Sequence, residues 1–211
     1  MFLQSSFCFP YLIKSIIFYK NMITNNILSF AKSILCEVLE PGCIAVDATA
    51  GNGYDTVYLS RQAGVEGRVF AFDIQEEAIE QTRQRLNEEC MPENWTLFHS
   101  GHENMLSLIP EEFHGKVNIV MFNLGFLPGS DKSIVTRPET TLKALADSLE
   151  ILATGAMICI AIYAGHPGGA EEDAAVREYC TALDYHYVRV IQSEMLNKPG
   201  YPIRLLFLTK L

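Results

Sequence analysis

The sequence predicts an α/β fold built on an open, doubly wound and mostly parallel sheet. Strand-like and helical patterns alternate five times along the chain, which is typical of consecutive β-α-β units. The run KVNIVMFN at 116–123 is almost wholly apolar, as expected for a parallel strand that is covered on both faces. The length of 211 residues fits a single Rossmann-like domain.

In the first half of the chain, each predicted helix has an apolar stripe and each predicted strand is a short apolar run. Pro41-Gly42 ends the first helix, because neither residue continues a helical pattern. The predicted elements are a helix at 23–39, a strand at 43–48, a helix at 55–63, a strand at 68–73, a helix at 76–88 and a strand at 96–99.

In the second half, signals at the helix ends carry the prediction. Thr136 and Glu139 form a capping box with Pro138 in the first turn, so we expect a helix to begin there and to end at Gly155. The remaining elements are strands at 116–123 and 156–163, a helix at 170–183, and closing strands at 187–194 and 203–210. The result is a seven-stranded sheet with an antiparallel C-terminal strand.

Composition excludes several classes of protein. Hydrophobic residues are 49% and charged residues 19%, which excludes a disordered tail or a coiled coil. A net charge of −9 disfavours nucleic-acid binding through bulk positive charge, although a local basic patch stays open. None of the six cysteines forms a Cys-x-x-Cys pair or lies close in sequence to a histidine. We therefore expect no metal site, no structural disulfide and a cytoplasmic location.

Residues 1–21 differ from the rest of the chain, because they are rich in apolar residues and contain no acid. Lys14 interrupts the apolar run, which argues against a spanning helix. The segment also lacks the charged start and the cleavage site of a secretory signal. We predict an extension at 1–21 that the native protein need not use, and one domain at 22–211. An interfacial amphipathic segment is the alternative.

A glycine loop, VDATAGNG at 46–53, follows the first strand. Its glycines allow a sharp turn and a close approach to a ligand. A dinucleotide fingerprint would have a third glycine where this chain has Thr56, and Asp47 would repel a pyrophosphate. Asp73 ends the second strand, where an acid accepts hydrogen bonds from ribose hydroxyls. The pattern favours a positively charged adenosine cofactor and leaves a nicotinamide oxidoreductase as a distant alternative.

These blocks resemble those of class I S-adenosylmethionine-dependent methyltransferases. More narrowly, the chain is similar to small bacterial proteins long labelled rRNA methylases, whose members methylate the 5-aminomethyl group of the tRNA wobble 2-thiouridine. The resemblance covers about residues 22–211. The matching blocks are VDATAGNGYDT (46–56), FAFDIQEEAI (70–79), GHEN (101–104), FNLGFLPGSDKSIVT (122–136), RPETT (137–141) and IYAGHPGG (162–169).

The resemblance implies a set of residues that bind S-adenosylmethionine. Asp73 would bind the ribose, while Gly101 and His102 would line the adenine side. Asp55 can instead be a helix cap, and Gln75 and His102 can instead be solvated loop residues. The full implied set is Asp47, Gly51, Asn52, Gly53, Asp55, Asp73, Gln75, Gly101 and His102.

We expect the chemistry at the tip of the fourth strand. FNLGFLPG at 122–129 stands where amino-methylating enzymes carry an (Asn/Asp)-Pro-Pro-(Tyr/Phe) loop, with the asparagine and the aromatic kept and both prolines absent. Asn123 would accept an N–H hydrogen bond from the acceptor. Phe126 would stack on a base, or else pack in the core.

An alkylamine acceptor has a pKa of about 10.4, so it needs a base or a desolvating pocket at neutral pH. His166 is the first candidate for that base, followed by Asp131 and His102. An aromatic amine of an rRNA base, or a small amine, is the alternative acceptor.

The resemblance implies the tRNA anticodon region as a partner, a homodimer and no membrane partner. Contact with RNA requires local positive charge on this acidic chain. Lys132 and Arg137 are the predicted substrate contacts, and scattered surface cations are the alternative interpretation. Further candidate cations are Lys143, Arg189, Lys198 and Arg204. The segment NKPGYPI at 197–203 departs from the Asn-x-Pro-Pro-Phe stretch of the family.

Overall fold

The computed structural model describes residues 27–127, 129, 134–200 and 203–211. The predicted extension at 1–21, the predicted domain start at 22, Asp131 and Lys132 lie outside these residues. The strands are β1 (Ile44–Asp47), β2 (Arg68–Asp73), β3 (Trp95–His99), β4 (Val117–Leu124), β5 (Leu152–Ile162), β6 (Val188–Glu194) and β7 (Arg204–Lys210). The helices are α1 (Ile27–Leu35), α2 (Tyr54–Ala63), α3 (Glu76–Glu88), α4 (Met105–Leu108), α5 (Pro138–Ile151) and α6 (Gly169–Ala182). Short 3₁₀ turns lie at His102–Asn104 and Glu111–Phe113.

All seven strands form one sheet in the order β3-β2-β1-β4-β5-β7-β6. The first five strands pair in parallel, and β7 runs antiparallel to both β5 and β6. The predicted fold class is therefore confirmed. The strand order reverses direction between β1 and β4, so a crevice opens at their carboxyl ends, where ligands bind in such sheets.

The alternation of side chains along β4 divides the core between the two faces of the sheet. Val120 and Phe122 belong to the core that packs against α4, α5 and α6. Ile119 and Met121 belong to the core that packs against α1 and α2. Asn123 continues the second series, so its side chain leaves the strand on the side of α1 and α2.

Two predicted helix ends in the second half are wrong. Helix α5 has Arg137 as its N-cap, and Thr136 instead donates its hydroxyl to Glu172 Oε2 (2.6 Å). The helix ends at Ile151, where β5 follows at once. Gly155 lies within β5 at φ +81°, where the register with β4 shifts, because an irregular strand needs a residue that tolerates positive φ.

The segment between β3 and β4 contains α4 and the two 3₁₀ turns, none of which the sequence predicted. Four residues are too few to show a helical period. The other predicted elements are present with shifted ends, and the first helix ends at Leu35 instead of at residue 39. Among the helices that the structure describes, none is long and apolar enough to cross a bilayer.

Candidate active site at the carboxyl ends of the parallel strands

A buried acid fixes the glycine loop from below. Asp47 is fully buried and accepts hydrogen bonds from Thr49 N (3.1 Å) and Thr56 Oγ1 (2.6 Å). Burial, together with the nearby charge of Asp55, raises the pKa of Asp47 to about 7. This carboxyl group therefore shapes the loop from inside the protein, and the cofactor contact predicted for Asp47 stays a prediction.

The two glycines of the loop are required by geometry. Gly51 has φ +53° and Gly53 has φ +80°, a region that other residues rarely adopt. A Cβ at Gly53 would also lie 2.8 Å from Thr82 Cα on α3. The loop therefore brings its backbone against α3, and Gly51 and Asn52 remain partly exposed. Beside it, the Asn52 carbonyl accepts a hydrogen bond from Arg85 Nε (2.7 Å).

Asp73 joins the glycine loop to the tip of β2. Its Oδ2 accepts the Gly51 N–H (2.9 Å) and its Oδ1 accepts the Gln75 N–H (2.9 Å). Each carboxylate oxygen retains a second lone pair, and the side chain is only half-buried. The group can therefore also accept hydrogen bonds from ribose hydroxyls. Gln75 is tied to this site through its backbone.

His102 lies beneath the loop and is only 7% exposed, so the alternative of a solvated residue is wrong. Its Nδ1 bonds the Ala48 carbonyl (3.1 Å), and burial lowers its pKa, so the ring is neutral. Nε2 is buried, and no described residue offers it a hydrogen bond. An acceptor nitrogen therefore lies close to the crevice, next to buried Gly101.

The tip of β4 is held by two side chains from the first third of the chain. Asn123 N donates to Thr49 Oγ1 (2.8 Å), and Asn123 Nδ2 donates to Asp55 Oδ2 (2.9 Å). The other oxygen of Asp55 pairs with Lys32 Nζ of α1 (2.7 Å). Asp55 is thus not the N-cap of α2, which is Gly53, and the sequence did not predict its contact with Asn123.

A cavity of about 60 Å³ lies between α1 and the ends of β4 and β5. Two groups in this region, the Cys159 thiol and the Tyr163 hydroxyl, are neutral at physiological pH. Burial, with a smaller effect of Asp55, raises the pKa of Cys159 to about 12 and that of Tyr163 to about 12. The lining includes the polar residues Lys32, Asp55 and Asn123 and the apolar residues Leu28, Met121 and Cys159.

His166 and Phe126 lie over the segment that follows β4. Their rings meet edge to face with centroids 5.8 Å apart. His166 Nδ1 bonds the Pro167 carbonyl (3.0 Å), and its Nε2 is buried without a hydrogen-bond partner in the described part of the chain. A Cβ on Gly125 would lie 3.8 Å from that Nε2. The proposed base therefore has one nitrogen available near the tip of β4.

The predicted RNA-contacting cations differ in their surroundings. Arg137 is exposed at the start of α5, whereas Lys132 lies outside the described residues. Lys143 pairs with Asp147 (2.5 Å). Arg204 is held by Asp173 and Glu194 and is largely buried, which makes it a less favourable candidate for RNA contact than Arg137.

Glu172 is a site-forming residue that sequence analysis missed. It is 1% exposed and accepts hydrogen bonds from Thr136 Oγ1 (2.6 Å) and Thr141 Oγ1 (2.7 Å). It thereby ties the segment after β4 to α6. The available signal was an acid in the first turn of a helix, which is equally typical of dipole stabilisation.

The strand order is that of the class I methyltransferase fold. The glycine loop with Asp73 and a polar side chain at the tip of β4 are the features expected at the site of this class. Residues 69–209 match the family described as "Putative rRNA methylase", and the chain belongs to that family. The resemblance found in the sequence is thereby confirmed.

Individual relatives agree with this assignment. The chloroplastic tRNA (mnm(5)s(2)U34)-methyltransferase of Arabidopsis thaliana is 38% identical over 186 residues, which cover 82% of this chain. This chain spans 65% of the length of that relative.

Two crystal structures are similar over nearly their whole length. One is a protein from Clostridium thermocellum that is described as a "putative rRNA-methylase". It superposes with a TM-score of 0.84 at 38% identity, and the match covers 89% of this chain and 98% of that protein. A Streptococcus mutans methyltransferase homologue, solved in complex with SAH, gives a TM-score of 0.79 at 33% identity and coverages of 90% and 100%.

Proposed function

We propose that this chain is an S-adenosylmethionine-dependent enzyme that methylates the 5-aminomethyl group of the wobble 2-thiouridine in tRNA. The observation that carries the proposal is the convergence of the glycine loop, Asp73 and the Asn123–Asp55 pair on one crevice. The name of the Arabidopsis relative supports the choice of acceptor, and the complex with SAH supports the choice of cofactor.

The residues at the crevice fit S-adenosylmethionine. Asp73 has lone pairs for the ribose hydroxyls. The loop from Gly51 to Gly53, in which Gly51 and Asn52 are partly exposed, would contact the amino-acid part. Gln75 lies beside Asp73 at the ribose position, and Gly101 and His102 are proposed to line the adenine side. When bound, the cofactor supplies a methyl group on a positively charged sulfur.

The chain's own contribution is to position a nitrogen and to exclude water. Asn123 accepts an N–H of the acceptor and so orients its lone pair. Because an alkylamine has a pKa of about 10.4, freeing that lone pair at pH 7 costs about 4–5 kcal/mol. We propose that His166 Nε2 takes this proton, since it is buried and near the tip of β4.

On the substrate side, the proposal names the tRNA anticodon region as the partner. Phe126 would stack on a base, and Arg137 and Lys132 would contact phosphates. A cytoplasmic location, a homodimer and a catalytic domain at 22–211 complete the proposal. No membrane partner is included.

The test is methylation by the purified full chain of tRNA that carries 5-aminomethyl-2-thiouridine, followed by nucleoside mass spectrometry. We expect one added methyl group on the aminomethyl nitrogen. The same tRNA with a 5-hydroxymethyl group is the matched control and should stay unmodified. Methylation of rRNA fragments in place of this tRNA would overturn the acceptor and support the rRNA alternative.

A further inference from the structure

One primary ammonium ion is already bound beside the tip of β4, and it belongs to the protein. Lys32 Nζ lies 2.7 Å from Asp55 Oδ1 and 4.8 Å from the centre of the Tyr58 ring. A carboxylate and an aromatic face are the two groups that together attract an alkylammonium ion. The same Asp55 holds Asn123 through its second oxygen.

We propose that this is the acceptor-amine subsite, and that the substrate's aminomethyl group replaces the Lys32 ammonium against Asp55. The inference rests on the proposed function, because it requires an alkylamine acceptor. It makes Asp55 a catalytic residue on the acceptor side, whereas the sequence resemblance placed it with the cofactor.

The size of the cavity supports this assignment. Its volume of about 60 Å³ is well under half of the about 150 Å³ of an apolar cavity that holds a benzene ring. An aminomethyl group has two heavy atoms and suits such a space better than a pyrimidine ring does. The base would therefore remain outside, and only its substituent would enter between Asp55 and Asn123.

The orientation of Asn123 is also explained. A carboxylate only accepts hydrogen bonds, so Asp55 forces Asn123 to present its NH₂ group to it. The amide oxygen of Asn123 is thereby directed elsewhere and can accept an N–H from the substrate. Asp55 thus both contacts the amine and positions Asn123.

Lys32 is suited to be displaced. Its side chain is 37% exposed and that of Asp55 is 21% exposed, and an ion pair with such access to water contributes little to stability. The lysine stem is flexible, so the ammonium can move into solvent. An incoming ammonium ion restores the charge balance that Lys32 provided.

The negative charge at this subsite comes mainly from Asp55. Burial raises the pKa of the Tyr58 hydroxyl, and raises those of Tyr163 and Cys159 to about 12, so these neighbours are neutral. Asp47 lies behind the loop with a pKa raised to about 7 by burial. Lys32 supplies the positive charge from α1.

The reaction step balances with these groups. The substrate ammonium first loses one proton to His166, which passes it on to water. The neutral amine then donates its two N–H groups to Asp55 and to the Asn123 oxygen. Its nitrogen gains the methyl group as the N–C bond forms, and the cofactor sulfur keeps the electron pair of the broken S–C bond. The positive charge that arises on nitrogen is stabilised by the Asp55 carboxylate.

The first experiment measures binding in the full chain saturated with S-adenosylhomocysteine. Calorimetry compares 5-aminomethyluridine with 5-hydroxymethyluridine, which differ only in the group that would enter the cavity. Wild type should prefer the amine, and Asp55→Asn should reduce that preference at least about tenfold. Equal affinities in wild type, or an unchanged preference in Asp55→Asn, would overturn the subsite.

Lys32→Met tests the same subsite, and here the affinity for the amine should rise instead of fall. Removal of the competing ammonium should tighten the binding of the amine nucleoside and leave the hydroxymethyl nucleoside unchanged. Weaker amine binding in this variant would contradict the proposal. Glu150→Gln, an exposed carboxylate at the far end of α5, is the matched control and should behave as wild type.

A pH profile separates Asp55 from a general base. In single-turnover methylation of the tRNA, Asp55→Asn should stay slow even at pH 9.5, because the lost charge stabilisation is needed when the amine is already neutral. Full recovery at pH 9.5 would overturn the assigned role.

Two outcomes separate a failure of the proposed function from a failure of the acceptor-amine subsite. An Asp55-dependent preference for the amine without any methylation of tRNA would reject the proposed function and retain the subsite. An Asp55→Asn variant that loses only affinity for S-adenosylhomocysteine would return Asp55 to the cofactor and reject the subsite.

Discussion

At the scale of single residues, Asp73 is the side chain on which the cofactor proposal most depends. Asp73→Ala should weaken the binding of S-adenosylmethionine by about 1.5–3 kcal/mol, because hydrogen bonds to a charged group are lost. Calorimetry with the cofactor measures this change. Glu150→Gln serves as the control, and an unchanged affinity in Asp73→Ala would reject the assignment.

Asn123 and His166 should differ in their response to pH. Asn123→Ala should slow methylation at every pH and leave cofactor affinity nearly intact, because the proposed contact of Asn123 is with the acceptor. His166→Ala should slow turnover about 10²–10⁴-fold at pH 7 and recover partly at pH 9, where more of the amine is free. Single-turnover rates from pH 6 to 9.5 provide the measurement. A His166→Ala profile parallel to that of wild type would exclude His166 as the base.

Asp47 should make stability depend on pH. Its pKa is about 7 in the folded state and about 3.9 when unfolded, so the folded state binds more protons between these values. The free energy of unfolding should therefore fall as the pH rises from about 4 to 7, by up to about 4 kcal/mol from this group. Asp47→Asn should remove that contribution. Urea unfolding from pH 4 to 8 tests it, and identical slopes in both proteins would contradict it.

At the scale of elements, the contact between the glycine loop and α3 can be tested with matched glycines. Gly53 and Gly168 both have left-handed backbone, with φ +80° and +84°, but only at Gly53 would a Cβ meet backbone, at 2.8 Å from Thr82 Cα. Gly168→Ala should cost about 1 kcal/mol of stability from strain alone. Gly53→Ala should cost clearly more and should also weaken cofactor binding. Equal costs, measured by chemical unfolding, would show that the loop can move away from α3.

The element boundaries show where local signals were insufficient. The periods of the strands and helices predicted the order of the main elements. The predicted end of α5 at Gly155 is wrong, because Gly155 lies in an irregular stretch of β5 and does not end the helix. The capping box failed for a related reason, since the Thr136 hydroxyl is occupied by Glu172 of α6. In both cases a neighbouring element overrides the local pattern.

At the scale of the whole molecule, the family match begins at residue 69 and the predicted domain begins at 22. A chain that starts at Met22 should bind the cofactor as the full chain does. Its melting temperature should change by less than about 3 °C, which corresponds to about 1 kcal/mol at this size. Scanning calorimetry and cofactor titration check both statements. Loss of binding, or a much lower melting temperature, would make residues 1–21 part of the fold.

The sequence by itself determined the fold class, the seven strands, the glycine loop, Asp73 at the tip of β2 and Asn123 at the tip of β4. Short stretches of sequence predict these features, because the hydrophobic period, the turn residues and the positions where strands end are all local signals. The same signals placed the crevice, because parallel strands bring their carboxyl ends to one edge of the sheet.

Only the tertiary structure decided which polar side chains meet. Asp55 and Asn123 are 68 residues apart and share a hydrogen bond, Lys32 reaches the same carboxylate, and Arg204 is taken up by two acids. Such contacts depend on the register of neighbouring strands and on the rotation of each helix against the sheet. Neither the strand register nor the helix rotation can be predicted from the local pattern of residues. The proposed acceptor subsite around Asp55 therefore depends on contacts that only the packing of the chain creates.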